Sequence, residues 1–240
     1  DLSRNADQPM QSNDGRYTII YNGEIYNFKI LREILSQDVK SWNSNSDTEV
    51  VLKSYEKWGV DCLNKLEGMF AFIIWDNIDK KIFGARDRMG VKPFYYYEKG
   101  KSLTIASRPS PIIKLNPNLK NKYNLKSIEL YLHSGYVPAP YSVYNGIFQL
   151  KPGHYILWDR NNGLEIHEWW SSNNFFYKNE YDSLDEKKVV NKLDTLLLDS
   201  VKKRLTSDVP VGVFLSGGLD SSLIAAMSCK IKNKRIKTYS

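Results

Sequence analysis

A chain of 240 residues is long enough for one large or two ordinary domains, and its 42% hydrophobic and 25% charged content is that of a globular protein. No apolar run approaches the length of a membrane span, so no membrane partner is expected. The net charge of +7 raises nucleic acid as a partner, but the lysines are scattered and no RNA-binding motif accompanies them, so no nucleic acid is expected either.

Residues 1–15 are polar and turn-rich. Residues 16–21 read as a strand, with Asn22-Gly23-Glu24 as a tight turn after it. Asn27 is placed to cap a helix whose Phe28, Leu31, Ile34 and Leu35 fall at helical spacing. Residues 44–47 form a second polar turn. Asp47 or Thr48 then caps a helix with Val50, Val51, Tyr55 and Trp58 on one side, ended by Gly59. The run MFAFIIW (69–75) is the right length for a strand buried on both faces, with a turn at 77–80 and a return strand at 81–85. Segments 93–97 and 102–106 make a further pair, so the first hundred residues predict an α+β, sheet-rich domain.

Residues 109–124 read as a proline- and asparagine-rich connector, 125–132 as a short helix, and 147–158 as a hairpin around Lys151-Pro152-Gly153. Residues 173–185 are polar linker. A long amphipathic helix over 185–205 follows, with Val189, Leu193, Leu196, Leu197, Val201 and Leu205 as a core-packing stripe. Its Lys187-Lys188 and Lys202-Lys203-Arg204 lie on the solvated side. The organisation expected is a first domain over 1–170, a linker over 171–185 and the start of a second domain over 186–240. The chain opens without methionine and stops as 235–239 begins to read as a strand, so it is expected to be a piece of a longer protein.

The stretch VGVFLSGGLDSS (211–222) carries the clearest chemistry. A buried strand runs into Ser216-Gly217-Gly218-Leu219-Asp220-Ser221-Ser222 and then a helix over 223–230. Two glycines let the backbone turn sharply and approach a ligand. The helix start offers unpaired N–H groups and a positive dipole end, and three serines add hydroxyl donors; together they form an anion cradle. The spacing is not that of a Walker loop. SGGLDS resembles the pyrophosphate loop of N-type ATP pyrophosphatases, which implies ATP at Leu215 to Ser222 and Mg²⁺ on Asp220, a carboxylate of the kind that ion prefers beside phosphate oxygens. A Gly-Gly turn with a Ser/Asp helix cap is the ordinary alternative.

Asn22-Gly23-Glu24 and Ser46-Asp47-Thr48-Glu49 are two polar stretches, each with a carboxylate. Paired carboxylates can grip an ammonium group, and an asparagine amide beside glycine can donate to an oxyanion. Common helix caps have the same composition.

Five stretches in order, NGEIYN (22–27), SDTE (46–49), LEGMFAF (66–72), RDRMGVKPFY (86–95) and LSGGLDSS (215–222), resemble the glutamine-hydrolysing asparagine synthetases over nearly the whole chain. The resemblance implies an N-terminal class II glutaminase domain of the Ntn type, a four-layer αββα sandwich, followed by the start of an α/β pyrophosphate-loop synthetase domain. It implies that Asn22 and Gly23 line an oxyanion hole and that Glu24 and Asp47 hold the α-amino group of glutamine. Glutamine, aspartate and ATP are the implied partners and Mg²⁺ the cofactor, with a homodimer among the expected assemblies.

The family's nucleophile is an N-terminal cysteine, and no residue here stands in for it. Asp1-Leu2-Ser3 matches a stretch inside the family's first domain, and the arginine expected for the glutamine carboxylate is missing too, so the 240 residues alone are not expected to hydrolyse glutamine. Cys62 reads as a buried small residue and Cys229 as structural. Two cysteines are too few for a disulfide framework and fit a reducing, cytoplasmic setting. Ala106-Ser107-Arg108-Pro109 departs from the family's Ala-Ser-Glu and helical stretch, which puts the local path in question. A β-lactam synthetase-like amidotransferase or cyclase, or a non-catalytic glutamine- or nucleotide-binding protein, would share these motifs; a tRNA-modifying pyrophosphate-loop enzyme would not be expected to carry the first domain.

Overall fold

A computed structural model of the chain describes residues 3–39, 41–175, 185–207 and 209–240, whose contacts fall into two units, 3–171 and 172–240. Asp1, Leu2 and most of the expected linker (176–184) lie outside the described residues. The first unit is built on one strand pair. MFAFIIW lies in β3 (Gly68–Asp76), which runs antiparallel to β2 (Tyr17–Ile25) from Tyr17 opposite Asp76 to Ile25 opposite Gly68. Short β1 (Met10–Gln11) adds to one edge. On the other side follow β4 (Lys81–Arg86), β8 (His154–Asp159) and β9 (Gly163–Glu168), giving a sheet ordered β1-β2-β3-β4-β8-β9. A second antiparallel sheet, ordered β6-β5-β7, comes from β5 (Tyr95–Lys99), β6 (Ser102–Ala106) and β7 (Phe148–Gln149).

Strand alternation decides the layers, because successive side chains point to opposite faces. Ile19, Tyr21 and Ile25 of β2 and Phe70, Phe72 and Ile74 of β3 share one face. There they bury Leu31 and Leu35 of α1 (Phe28–Leu35) and Val50, Val51 and Leu52 of α2 (Asp47–Trp58). Phe70, Phe72 and Phe83 are fully buried, each contributing roughly 1.5–3 kcal/mol by burial. The opposite face presents Ala71 and Ile156 to Phe94, just before β5, and to Tyr96 of β5. Gly84 matters here: a Cβ would stand 2.9 Å from the Phe94 ring, so only glycine lets that ring between the sheets. The outer face of the second sheet, through Tyr97, packs Ile112 of α3 (Pro109–Leu115). The result is the four-layer αββα sandwich that the motifs imply.

The RDRMG stretch ties the layers together. Asp87 is buried, and its carboxylate accepts four backbone amides: Met89 and Val91 on Oδ1 at 3.0 Å, Phe70 at 3.2 Å and Lys92 at 3.0 Å on Oδ2. Buried Arg86 donates to the carbonyls of Gly90, Lys92 and Leu150, closing the loop from the inside. Its guanidinium is held below the usual arginine range by burial. Arg88 donates to the Leu66 carbonyl and stacks on Trp169 at 4.8 Å.

Several segments differ from expectation. Asn22-Gly23-Glu24 is not a turn; β2 carries straight through it, held by full pairing with β3. The 109–124 connector contains α3, with Arg108 at its N-cap and Pro109 at its first position, where a missing N–H costs nothing. The helical path past Ala106-Ser107-Arg108-Pro109 is therefore kept. The expected 147–158 hairpin does not form: β7 pairs with β5 and β8 with β4 and β9, so its two arms belong to different sheets. The helix over 125–132 extends as α4 (Leu125–Ser134), capped by the Asn124 side chain and ended by left-handed Gly135.

In the second unit, α5 (Glu186–Arg204), β10 (Gly212–Phe214), α6 (Leu219–Lys232) and β11 (Lys237–Tyr239) form a parallel βαβ unit preceded by a helix. Val201, Leu205 and Met227 make its core with partly buried Leu197 and Ile224. The first half of the α5 stripe does not pack as expected; Val189, Leu193 and Leu196 are exposed. Among the described residues no helix is long and apolar enough to cross a membrane.

The Asp87 cradle yields a stability test. Asp87→Ala leaves four amides without an acceptor in a buried site, so the first unit should lose about 2–4 kcal/mol. Denaturant unfolding followed by tryptophan fluorescence measures it; a loss below half a unit would show that water satisfies those amides.

Candidate functional site

The residues of NGEIYN and SDTE meet at the C-terminal end of β2. Each letter of SDTE has a distinct part. Ser46 is the N-cap of α2, its Oγ accepting from Thr48 N–H at 3.1 Å. Glu49, buried, accepts from the amides of Asn43 and Ser44 and from the Ser44 hydroxyl, which fixes the incoming loop. Thr48 is buried under the helix start. Asp47, at the first helical position, turns away from the free amides of its own helix. Its Oδ2 accepts from Ile25 N–H at 2.9 Å and from the Tyr21 hydroxyl at 2.7 Å, which brings the carboxylate against the end of the Asn22–Glu24 stretch.

Gly23 is required where it stands. A Cβ there would lie 2.4 Å from the Met69 carbonyl oxygen, and one on Gly68, which pairs with Ile25, would lie 2.1 Å from the Glu24 carbonyl oxygen. The two backbones thus approach more closely than side chains allow. Glu24 is half-buried at this end. Asn22, one residue from Tyr21, points to the opposite face of β2, into a recess of about 150 Å³ lined with Ile20, Ala71, Phe94, Ala106 and Ser107. The four predicted residues therefore surround the end of one strand, with Asp47 on the helix side and Asn22 and Glu24, by alternation, on the sheet side. Asn27, expected as a cap, makes no capping bond. Its amide donates to the Lys65 carbonyl and accepts from Glu67 N–H, stapling the strand end to the LEGMFAF stretch.

Tyr21 was not singled out by the sequence. Burial and the neighbouring Asp47 charge push its phenol far above the ordinary tyrosine range, so it is a neutral donor to Asp47. The signal was its place immediately before Asn22 in a strand, on the face that Asp47 must reach. Cys62 is fully buried, and burial pushes its thiol up to about 12, which leaves it no thiolate character. A larger cleft, about 570 Å³, opens between β5, β7 and β9 around Tyr96, Glu98, Phe148 and Ile166; none of the predicted site residues lines it.

The residues expected to form a phosphate loop, 215–222, lie in the second unit. Leu215 closes the strand side, its N–H donating to the Tyr239 carbonyl at 2.7 Å. Gly217 takes φ +79°, a left-handed conformation with open space around it. Gly218 is the N-cap, so α6 begins at Leu219, four residues earlier than the periodicity predicts, and Asp220, Ser221 and Ser222 sit in its first turn. Ser221 braces the loop: its Oγ accepts from Ser216 N–H at 3.3 Å, lies 3.0 Å from Ser216 Oγ, and donates to the Gly218 carbonyl at 3.1 Å. The amides of Leu219, Asp220 and Ser221 have no intrahelical acceptor, as at any helix start. Ser216, Gly217, Gly218, Leu219 and Asp220 are exposed. Among the described residues no group of three or more His, Cys, Asp or Glu side chains could hold a metal ion.

Comparison with known proteins places these features. The sequence profile of the asparagine synthase family matches residues 192–240. A putative glutamine-hydrolysing asparagine synthetase 2 of Methanocaldococcus jannaschii is 41% identical over 87% of this chain, and glutamine-hydrolysing asparagine synthetase 3 of Bacillus subtilis is 39% identical over 88%. A protein named amidase chry2, from Gibberella zeae, is 30% identical over 95%. The chain spans 39%, 34% and 33% of the lengths of these three relatives. The profile of the glutamine amidotransferase domain matches residues 1–170, and the chain belongs to that family.

Proposed function

We propose that this chain is part of an enzyme that takes ammonia from glutamine and uses it, with ATP, to convert aspartate to asparagine. The observation that carries the reading is Asp47, drawn across from its helix to the end of the Asn22-Gly23-Glu24 strand by two donors. Two carboxylates at one strand end suit an α-ammonium group. Asn22 and Gly23 are the groups assigned to the oxyanion that forms when the side-chain amide is attacked. The cysteine nucleophile, with its own α-amino group as base, is expected of the complete protein; Cys62 is too buried to serve.

In the second site the side-chain carboxylate of aspartate attacks the α-phosphate of ATP, forming β-aspartyl-AMP and releasing pyrophosphate. Ammonia then displaces AMP to give asparagine. The chain's own contribution is the set of donors at 215–222: first-turn amides, the left-handed Gly217 and the braced serines, preorganised for pyrophosphate charge. Mg²⁺, when bound, would neutralise phosphate charge, with Asp220 as its protein ligand. The two free thiols accord with a reducing, cytoplasmic setting.

A second reading keeps the chemistry and changes the acceptor, as in a β-lactam synthetase-like enzyme. The Gibberella zeae relative, whose name is not that of an asparagine synthetase, favours keeping it in view. Product analysis of the complete protein with aspartate separates the two.

Two variants of the complete protein test the sites independently. Asp220→Asn should lower ATP–pyrophosphate exchange by roughly a hundredfold or more, the scale of losing one electrostatic ligand, while glutaminase activity stays within about twofold. Unchanged exchange would remove Asp220 from the magnesium role. Glu24→Ala should raise the Michaelis constant for glutamine by about tenfold, the scale of one charge-assisted hydrogen bond, and leave that for ammonia alone. Equal effects on both nitrogen sources would sink the glutamine-pocket assignment.

A further inference from the structure

Asp47 is a first-turn carboxylate with an easier option than the one it takes. Aspartate at the first helical position ordinarily leans toward the unpaired amides of its own helix, where the dipole favours it. Here Ser46 already serves Thr48 N–H, and Asp47 reaches to β2 instead. Two donors hold it there, and they differ in kind. Ile25 N–H belongs to the backbone and is set by the strand. The Tyr21 hydroxyl belongs to a side chain that is 7% exposed, with its ring fixed among Ile19, Phe72 and the helices. Both donate to the same oxygen, Oδ2. Among the described residues the other oxygen, Oδ1, meets only the Ser46 hydroxyl, at a marginal 3.5 Å.

We propose that Tyr21 is a positioning residue that sets amino-group recognition: its hydroxyl locks the Asp47 carboxylate so that Oδ1 is the oxygen offered to the α-ammonium of the substrate. This rests on the glutamine reading of the site. The phenol is suited to the task because burial and the adjacent charge keep it protonated at any working pH, so the lock does not titrate. Without the hydroxyl, Ile25 N–H remains as a single donor, and a carboxylate with one donor can swing back to its helix amides. The loss falls on recognition of the ammonium and not on the rest of the substrate.

The test uses Tyr21→Phe in the complete enzyme, which keeps the ring and its packing. Two quantities are read: the Michaelis constant for glutamine, and the inhibition constant of 4-carbamoylbutanoate, which is glutamine without its α-amino group. The expected result is a rise of roughly five- to twentyfold in the first, the scale of one hydrogen bond to a charged group, with the second unchanged within about twofold. Maximal turnover at saturating glutamine should also hold within about twofold. If both constants rise together, Tyr21 merely supports the fold and the proposal is overturned; if neither moves, the hydroxyl is dispensable and it is overturned equally. Asp47→Asn separates this from failure of the underlying reading. A raised glutamine constant in Asp47→Asn, with none in Tyr21→Phe, rejects the positioning role and keeps Asp47 as the ammonium ligand. No change in Asp47→Asn would reject both.

Discussion

The pairing of β2 with β3 is the constraint from which the first unit follows. It runs the whole length of both strands, and its register assigns every side chain to a layer. A slip of one residue would turn Tyr21 toward the second sheet and Asn22 toward the helices. Asp47 would then lose its side-chain donor, and the recess beside Ala71 and Phe94 would lose its amide. Hydrophobic patterning alone does not forbid that slip at the strand end, where Asn22, Gly23 and Glu24 carry little apolar surface. The two glycines at this end do, Gly23 opposite Phe70 and Gly68 opposite Ile25. Gly23 and Gly68 let the backbones close to distances at which any Cβ would overlap a carbonyl oxygen, so a shifted register would set a side chain against backbone. The pairing that builds the core therefore also aims the site.

A second constraint joins the sheets. Asp87 gathers amides from β3 and from the loop that leads to β5, while Arg86 reaches the carbonyl of Leu150 before β8. A buried carboxylate and a buried guanidinium sit side by side, yet each is satisfied by backbone and not by the other. That division suits a loop crossing between layers, where backbone groups would otherwise be buried without partners. The RDRMG stretch is thus an internal hydrogen-bonding hub. The LEGMFAF stretch likewise supplies strand β3 and the Gly68 contact, and Asn27 ties it to the strand end.

Much of this was legible in the sequence because it rests on period. MFAFIIW is short enough for a strand buried on both faces, and the spacing of Val201 and Leu205 matches the packed end of α5. Patterns failed where pairing over distance overrides local chemistry. Asn-Gly-Glu reads as a turn by composition, but full pairing with β3 makes it strand. Lys151-Pro152-Gly153 is a good hairpin turn by composition, but Arg86 holds the Leu150 carbonyl and the two arms part into different sheets. Proline at 109 reads as a breaker, though at a first helical position it is neutral. The position of Asp47 was foreseeable from SDTE; its orientation was not, because that depends on a tyrosine 26 residues earlier whose face is set by strand register.

In the proposed function the two candidate sites face opposite electrostatic problems. Holding an ammonium group, as proposed for Asp47, calls for a carboxylate that does not wander, and Asp47 is fixed by two donors from a strand at the edge of a core. Holding pyrophosphate, as proposed for the 215–222 stretch, calls for many donors around several charges; Ser216 to Asp220 are exposed there, and Ser216 and Ser221 brace the stretch. A desolvated donor set would gain strength but would have to shed the hydration of a multiply charged anion. An open helix start avoids that cost and lets the ligand complete the site. Under the proposed function, rigidity in the first unit and open valence in the second each match the charge to be bound.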